Sequence, residues 1–389
     1  MENLKELDKT YIANTYARFP VEIKYGEGSI ISDEDGKQYI DMGGGIAVNI
    51  FGMQDKVWKN AVVSQLNKFQ HTSNLYYTEP CVALAKLLVE KTEMKKVFFS
   101  NSGAEANECA IKVMRKYAQD KKGPEYYNII TLKNSFHGRT LATLAATGQE
   151  DYHKEFLPVT QGFISVTPGD IVELENTLKN NKCAGILIET IQGEGGVIPL
   201  DPVYIEQVYA LAKENDLVFA VDEVQTGNGR TGKLYSYMHY DIKPDIFTTA
   251  KGLGGGLPIG ATVLGEKVEF VLSAGKHGST FGGNPVCAAG AVSIISRIDE
   301  KLLSDVMQKS EIVFDTLSGA SGIKSVTGKG LMIGIETEKG AEKVVNECIE
   351  KGVLVLKAKN KVRLVPPLNI GISELKKALS IILEICAVG

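Results

Sequence analysis

The stretch LVFAVDEVQTGNGRTG, Leu217 to Gly232, decides how the rest of the chain is read. It opens with an uncharged run of strand length, Leu217–Val221. It then places a carboxylate, Asp222, at the point where the strand must end. An apolar strand that is uncharged throughout belongs in a sheet buried on both faces, the setting of parallel strands with helices packed above and below. The glycines that follow match G-x-G-x-x-G in Gly227–Gly232. A dinucleotide turn, however, comes directly after a strand and opens a long helix. Here Asp222–Thr226 intervene, and Tyr235–Tyr240 is a poor helix before Pro244. A phosphate-binding loop of the P-loop type fails too, because Leu234 stands where a Ser or Thr hydroxyl must hold magnesium.

Outward from this segment the same alternation continues. Val97–Phe99, Tyr127–Leu132, Ala184–Ile188, Ile246–Thr249 and Ala261–Leu264 read as strands, with helices over Ala104–Lys116 and Pro202–Glu214. The pattern predicts an α/β domain around a largely parallel sheet. After Pro285 it changes to helices (Val286–Ile298, Lys301–Leu317, Ala341–Lys351, Glu374–Ile385) mixed with short strands (Leu331–Ile335, Val353–Leu356, Val362–Leu364), a smaller α+β domain. A chain of 389 residues is of two-domain size.

Composition excludes several classes. Lys plus Arg total 43 against 47 Asp plus Glu, a net charge of −4, which argues against a nucleic-acid partner. The six cysteines are scattered without metal-like spacing, as expected of reduced thiols in a cytoplasmic protein with no metal. Met1–Tyr16 has no apolar segment of the secretory kind. The longest charge-free run, His277–Ser296, is broken by Gly282-Gly283-Asn284-Pro285, so it predicts a loop feeding a buried helix and no membrane span.

Unusual residues gather at the predicted strand ends. Ser102-Gly103-Ala104 follow the first strand and begin a helix, where small residues and free backbone N–H groups suit a phosphate. Phe136-His137-Gly138-Arg139 follow the second, Glu189 and Asp222 end the next two, and Lys251 follows Ile246–Thr249. Ligands bind outside the carboxyl ends of strands in such sheets. A phosphate cradle, a carboxylate to pair with a protonated pyridine nitrogen, and a lysine in apolar, glycine-rich surroundings together fit pyridoxal phosphate (PLP).

At this point the chain resembles the class III aminotransferases of the ornithine/acetylornithine type. The matching segments are NSGAEANE (Asn101–Glu108), FHGRT (Phe136–Thr140), ETIQGEGG (Glu189–Gly196), VDEVQTGNGRTG (Val221–Gly232), AKGLGGGLPIGA (Ala250–Ala261) and HGSTFGGNP (His277–Pro285). DMGGGIAVN (Asp41–Asn49) and HTSNLYY (His71–Tyr77) extend the match over nearly the whole chain.

The resemblance implies a PLP-dependent transferase of fold type I. Its large domain, residues 49–285, would carry a mostly parallel seven-stranded sheet. Residues 1–48 and 286–389 would form the small domain. It implies a homodimer acting on small molecules: an acylated ω-amino acid, N-acetylornithine first, and 2-oxoglutarate. Related donors are N-succinyl-diaminopimelate, succinylornithine, ornithine and 4-aminobutyrate. A different outcome would be a PLP-binding protein that does not transaminate.

Roles carry over position by position. Lys251 would hold the cofactor covalently and shuttle the proton, and Asp222 would pair with the ring nitrogen. Gln225 would reach the ring hydroxyl, Phe136 would stack on the ring, and Val224 would join the cofactor contacts. Ser102, Gly103 and Ala104 would hold the phosphate, helped by Thr280 from the partner subunit. Arg139 would anchor a substrate carboxylate, with Ser279 among the substrate contacts. Glu194 and Arg363 would form a switch, paired for the amino donor and opened for 2-oxoglutarate. Thr190 departs from a usual Pro, and Asn228 from a commonly apolar position. His71, His137, Tyr16, Tyr76 and Tyr77 read as packing residues.

Overall fold

The computed structural model describes residues 4–387, so the first three residues of the N-terminal segment lie outside it. Its centre is a seven-stranded sheet. In spatial order the strands are Lys96–Ser100, Gly260–Leu264, Ile246–Thr249, Val218–Asp222, Cys183–Ile188, Asn128–Leu132 and Phe163–Val166. Only Gly260–Leu264 runs against its neighbours; the other six share one direction. Val218–Asp222 lies in the middle and is buried at every residue, which is why its sequence carries no alternation. Its side chains still divide by face. Val218 and Ala220 pack into a core with Val113, Met114 and Ile129, while Phe219 and Val221 enter a second core with Tyr204, Ile205 and Val208.

The helix expected over 104–116 spans Gly103–Lys122. Lys121 and Lys122 in its last turn suit the negative end of the helix dipole, and Gly123 at φ 118° ends it. Helix Pro202–Glu214 is as expected, capped by Asp201, which accepts from the N–H groups of Val203 and Tyr204. The charge-free run resolves into a loop and the buried helix Pro285–Ile295. Among the described residues no helix is long and apolar enough to cross a membrane. The Gly227 motif opens no helix: only a short 3₁₀ turn, Ser236–His239, follows it.

Beyond Pro285 a four-stranded antiparallel sheet orders Ile323–Lys329, Met332–Thr337, Lys361–Leu364 and Leu356–Ala358. A further sheet joins the chain's two ends. Val353–Leu354 pairs in parallel with Gln38–Asp41, which continues into Ile30–Asp33 and Ile23–Glu27. Strands Phe163–Val166, Ile323–Lys329 and the N-terminal three were not anticipated.

Candidate active site

Because six strands point one way, their carboxyl ends line one edge of the sheet, and a cavity of about 460 Å³ lies there. Ser102, Gly103, Ala104, Phe136, Arg139, Asp222, Val224, Gln225 and Lys251 all line it. Nine residues named from sequence, spread over 150 positions, thus share one wall.

At one end of the cavity helix Gly103–Lys122 begins. The Ser102 hydroxyl accepts from the N–H of Glu105 at 3.2 Å, and the Glu105 carboxylate accepts from the N–H of Asn101 at 2.6 Å. The N–H groups of Gly103 and Ala104 have no partner among the described residues, so the positive end of the dipole faces the cavity with free donors. A Cβ on Gly103 would come within 2.6 Å of Val224 Cγ1, so only glycine allows this approach.

Asp222 is 4% exposed and fully engaged on its protein side. Its Oδ2 accepts from Asn107 Nδ2 at 2.7 Å and from His137 Nδ1 at 2.8 Å, and its Oδ1 accepts from the Val224 N–H at 3.0 Å. An ionised carboxylate can only accept, so His137 carries its proton on Nδ1. The Thr248 hydroxyl donates to Asn107 Oδ1 at 2.7 Å and fixes the amide's orientation. Asn107 and His137 were not recognised from sequence. His137 was read as packing, yet it lies beside a site carboxylate. The one available signal was its place directly after Phe136 at a strand end.

Glu189 also lines the cavity, accepting from the N–H groups of Phe136 at 2.9 Å and Gly193 at 3.2 Å. It therefore ties the Phe136–Arg139 segment to the one carrying Glu194. Burial raises its pKa to about 7; His137 opposes that rise and Asp222 adds to it.

Lys251 sits across the cavity in the left-handed backbone region, φ 46°. Burial, the largest cause, lowers the pKa of its amine; Glu194, Asp222 and Glu189 oppose that and Arg363 assists it. A lysine so placed is a readier nucleophile and base than one in water.

Glu194 and Arg363 meet as expected, Nη1 to Oε1 at 2.5 Å, with the arginine side chain 3% exposed. Burial, the largest influence, pushes the Glu194 pKa up. The charge and hydrogen bond of Arg363, with the charge of Lys251 and a hydrogen bond from Gln225, together outweigh it, so the carboxyl is held below its ordinary value. The pair has a third member. Gln225 accepts from Arg363 Nη1 at 3.1 Å and donates to Glu194 at 3.4 Å, so its amide serves the ion pair here. Arg139, by contrast, is exposed and has no ion pair among the described residues; its guanidinium lies 4.2 Å from the Tyr152 ring centroid and 5.7 Å from that of Phe136. Ser279 and Thr280 lie outside this cavity, where the Ser279 hydroxyl accepts from Asn101 Nδ2 at 3.1 Å and Thr280 is exposed. Among the described residues no cluster of His, Cys, Asp and Glu has a metal-binding arrangement.

These residues fit PLP. Two N–H donors without a partner among the described residues and a glycine tight against Val224 would suit a phosphate, and a buried carboxylate accepting three hydrogen bonds and a lysine of lowered pKa share the same cavity.

Comparison with known proteins agrees. An acetylornithine aminotransferase of Haemophilus ducreyi is 46% identical over 386 residues, 99% of this chain and 98% of that protein. The N-acetylornithine aminotransferase structure from Stenotrophomonas maltophilia K279a superposes with a TM-score of 0.85 at 32% identity, covering 99% and 98% of the two chains. A Toxoplasma gondii ornithine aminotransferase structure with PLP at partial occupancy in its active site superposes with a TM-score of 0.93 at 30% identity, covering 98% and 93%. The family model for class-III aminotransferases matches residues 11–386. With the fold, the cavity and the near-complete match in agreement, the chain belongs to the class-III aminotransferases and is a PLP-dependent transaminase.

Proposed function

We propose that this enzyme moves the ω-amino group of N-acetylornithine to 2-oxoglutarate, giving N-acetylglutamate semialdehyde and glutamate, as a step of arginine biosynthesis in the cytoplasm. The observation that carries this reading is the contrast between two arginines. Arg139 is free at the cavity, and Arg363 is neutralised by Glu194. An acylated ω-amine holds its α-carboxylate far from the reacting nitrogen, where Arg139 takes it. Its methylene chain then passes a neutral Glu194–Arg363 pair, since an unpaired buried cation there would be unfavourable. 2-Oxoglutarate brings a second carboxylate beside its reacting carbon. It opens the pair and accepts a charge-assisted hydrogen-bonded fork from Arg363.

When bound, PLP supplies the electron sink that stabilises charge at the carbon losing its proton. Ser102, Gly103 and Ala104 would hold its phosphate, and Asp222, fixed by Asn107 and His137, would pair with the pyridine nitrogen. Phe136 and Val224 would pack on the ring, and Gln225 would serve the ring hydroxyl. Lys251 would hold the cofactor covalently at rest and, as a free amine whose pKa burial lowers, would take and return the substrate proton.

A homodimer completes the site. Thr280 reaches the partner's phosphate, and Ser279 helps shape the entrance for substrate. Support comes from exposed Leu75, Tyr76, Tyr77 and Phe281, which share a face with Thr280 because Asn74 donates to the carbonyls of Ser279 and Gly282. The chain divides at residues 49 and 285 into a large domain and a small one built from both ends; the strand pairing of Gln38–Asp41 with Val353–Leu354 supports that division. The six free cysteines accord with a reducing compartment.

The test is a donor panel with 2-oxoglutarate, comparing kcat/KM for N-acetylornithine, succinylornithine, N-succinyl-diaminopimelate, ornithine and 4-aminobutyrate. N-acetylornithine is expected to lead. If another donor led, the substrate assignment would fail while the transaminase chemistry stood.

A further inference from the structure

We propose that Asn228 is a positioning residue for the Lys251 amine. The inference rests on the reading of Lys251 as the cofactor-bearing lysine. Asn228 is buried, 1% exposed, and its Nδ2 donates to Thr249 Oγ1 at 3.1 Å and to the Ala250 carbonyl at 3.2 Å. Turning the amide over would set oxygen against the carbonyl oxygen, so the donor must face this way.

The Ala250 carbonyl belongs to the peptide whose nitrogen is that of Lys251. Its rotation sets φ of Lys251, which is held at 46°. A non-glycine residue persists in that region only where its surroundings over-determine it. Three contacts do so here. Asn228 Nδ2 and the Leu253 N–H, at 2.9 Å, both donate to the Ala250 carbonyl. Gly252 is wedged between Ile50 and Asn228, where an added Cβ would come within 2.5 Å and 3.2 Å of them. Asn228 is the only one of the three that is a polar side chain, and it has a cost: its Oδ1 is buried with no partner among the described residues. An apolar side chain would avoid that cost and lose the clamp.

A simpler explanation exists. Asn228 is itself at φ 58°, where asparagine is better tolerated than most residues. Asn228→Gly separates the two, because glycine suits that φ and has no amide. Asn228→Met supplies apolar bulk without a donor. The apoenzymes of both variants and of wild type are mixed with PLP, and growth of visible absorbance is followed over pH. Borohydride fixation and peptide mapping then identify the lysine labelled. In both variants capture at Lys251 should slow roughly ten- to a hundredfold, as for a reacting group displaced by about an ångström. The pH dependence of capture should shift with it, while the apoenzyme melting temperature of Asn228→Gly stays at that of wild type. Wild-type capture rates and pH profile in Asn228→Gly would overturn the inference. So would a loss confined to Asn228→Met, since that is backbone strain. Labelling of a different lysine in wild type would instead sink the assignment of Lys251.

Discussion

Replacing Arg363 by alanine should separate the two half-reactions of this enzyme. Arg363 is buried on strand Lys361–Leu364 and its guanidinium touches only Glu194 and Gln225 through Nη1. Nothing in the resting pair presents net charge to an amino donor, so its half-reaction should slow less than roughly tenfold, about 1.4 kcal/mol. The 2-oxoglutarate half-reaction loses its anion fork and gains an obstacle. Glu194 is left without the neighbour whose charge and hydrogen bond help hold its carboxyl below its ordinary value. Truncating one member of a buried charged pair costs about 2–5 kcal/mol, roughly thirtyfold to several thousandfold in rate. Glu194→Ala acts in the opposite sense. It leaves Arg363 exposed to every substrate, so α-amino acids such as glutamate should improve as donors relative to the ω-amine. Single-turnover stopped-flow, following cofactor absorbance with each substrate alone, reads both halves directly. Equal losses in both halves for Arg363→Ala would make the contact a structural ion pair and refute the switch.

Lys251→Ala should abolish turnover and leave PLP bound noncovalently; a borohydride-fixed adduct at any other lysine in wild type would refute the role. Asp222→Ala should slow the chemical step by orders of magnitude, with a smaller effect on cofactor retention, as the ring nitrogen loses the charge that keeps it protonated; single-turnover rates near wild type would count against it. Glu223, fully buried behind Asp222, has its pKa raised by burial from an ordinary 4.5 to about 7. Between those values the folded protein binds a proton that the unfolded chain does not, so this group's contribution falls as pH rises through the window. Denaturant midpoints from pH 4.5 to 7 should show the stability of wild type declining relative to Glu223→Gln, and parallel profiles would contradict the assignment.

What could be read in advance follows from where the physics is local. Leu217–Val221 and Ala184–Ile188 are buried on both faces, so their composition alone marks them as central strands. Residues that serve a ligand at strand ends are out of character with such runs, which made Asp222 and Lys251 stand out. Strand Phe163–Val166 is an edge strand, half-buried except at Val166, and so carries no such mark. The N-terminal strands pair with Val353–Leu354, more than 300 residues away, a contact no local pattern encodes. Gln225 shows the same limit within the site. Its position was legible, but its engagement with Arg363 depends on a strand from the other end of the chain.

His137 and Asn107 explain why Asp222 can stand ready at all. A carboxylate at the end of a buried strand is costly to leave without hydrogen-bond partners. Two side-chain donors and one backbone N–H satisfy it from within the protein, and Thr248 in turn orients Asn107. The network draws on helix Gly103–Lys122, the segment after strand Asn128–Leu132, the turn after strand Val218–Asp222, and, through Thr248, strand Ile246–Thr249. The same elements present the phosphate cradle, Phe136 and Lys251. Any shift of one of them that misplaced a ligand contact would therefore also strain the Asp222 network. The hydrogen bonds that hold Asp222 also tie together the segments lining the cavity, which is how a cavity assembled from distant segments keeps its parts in register.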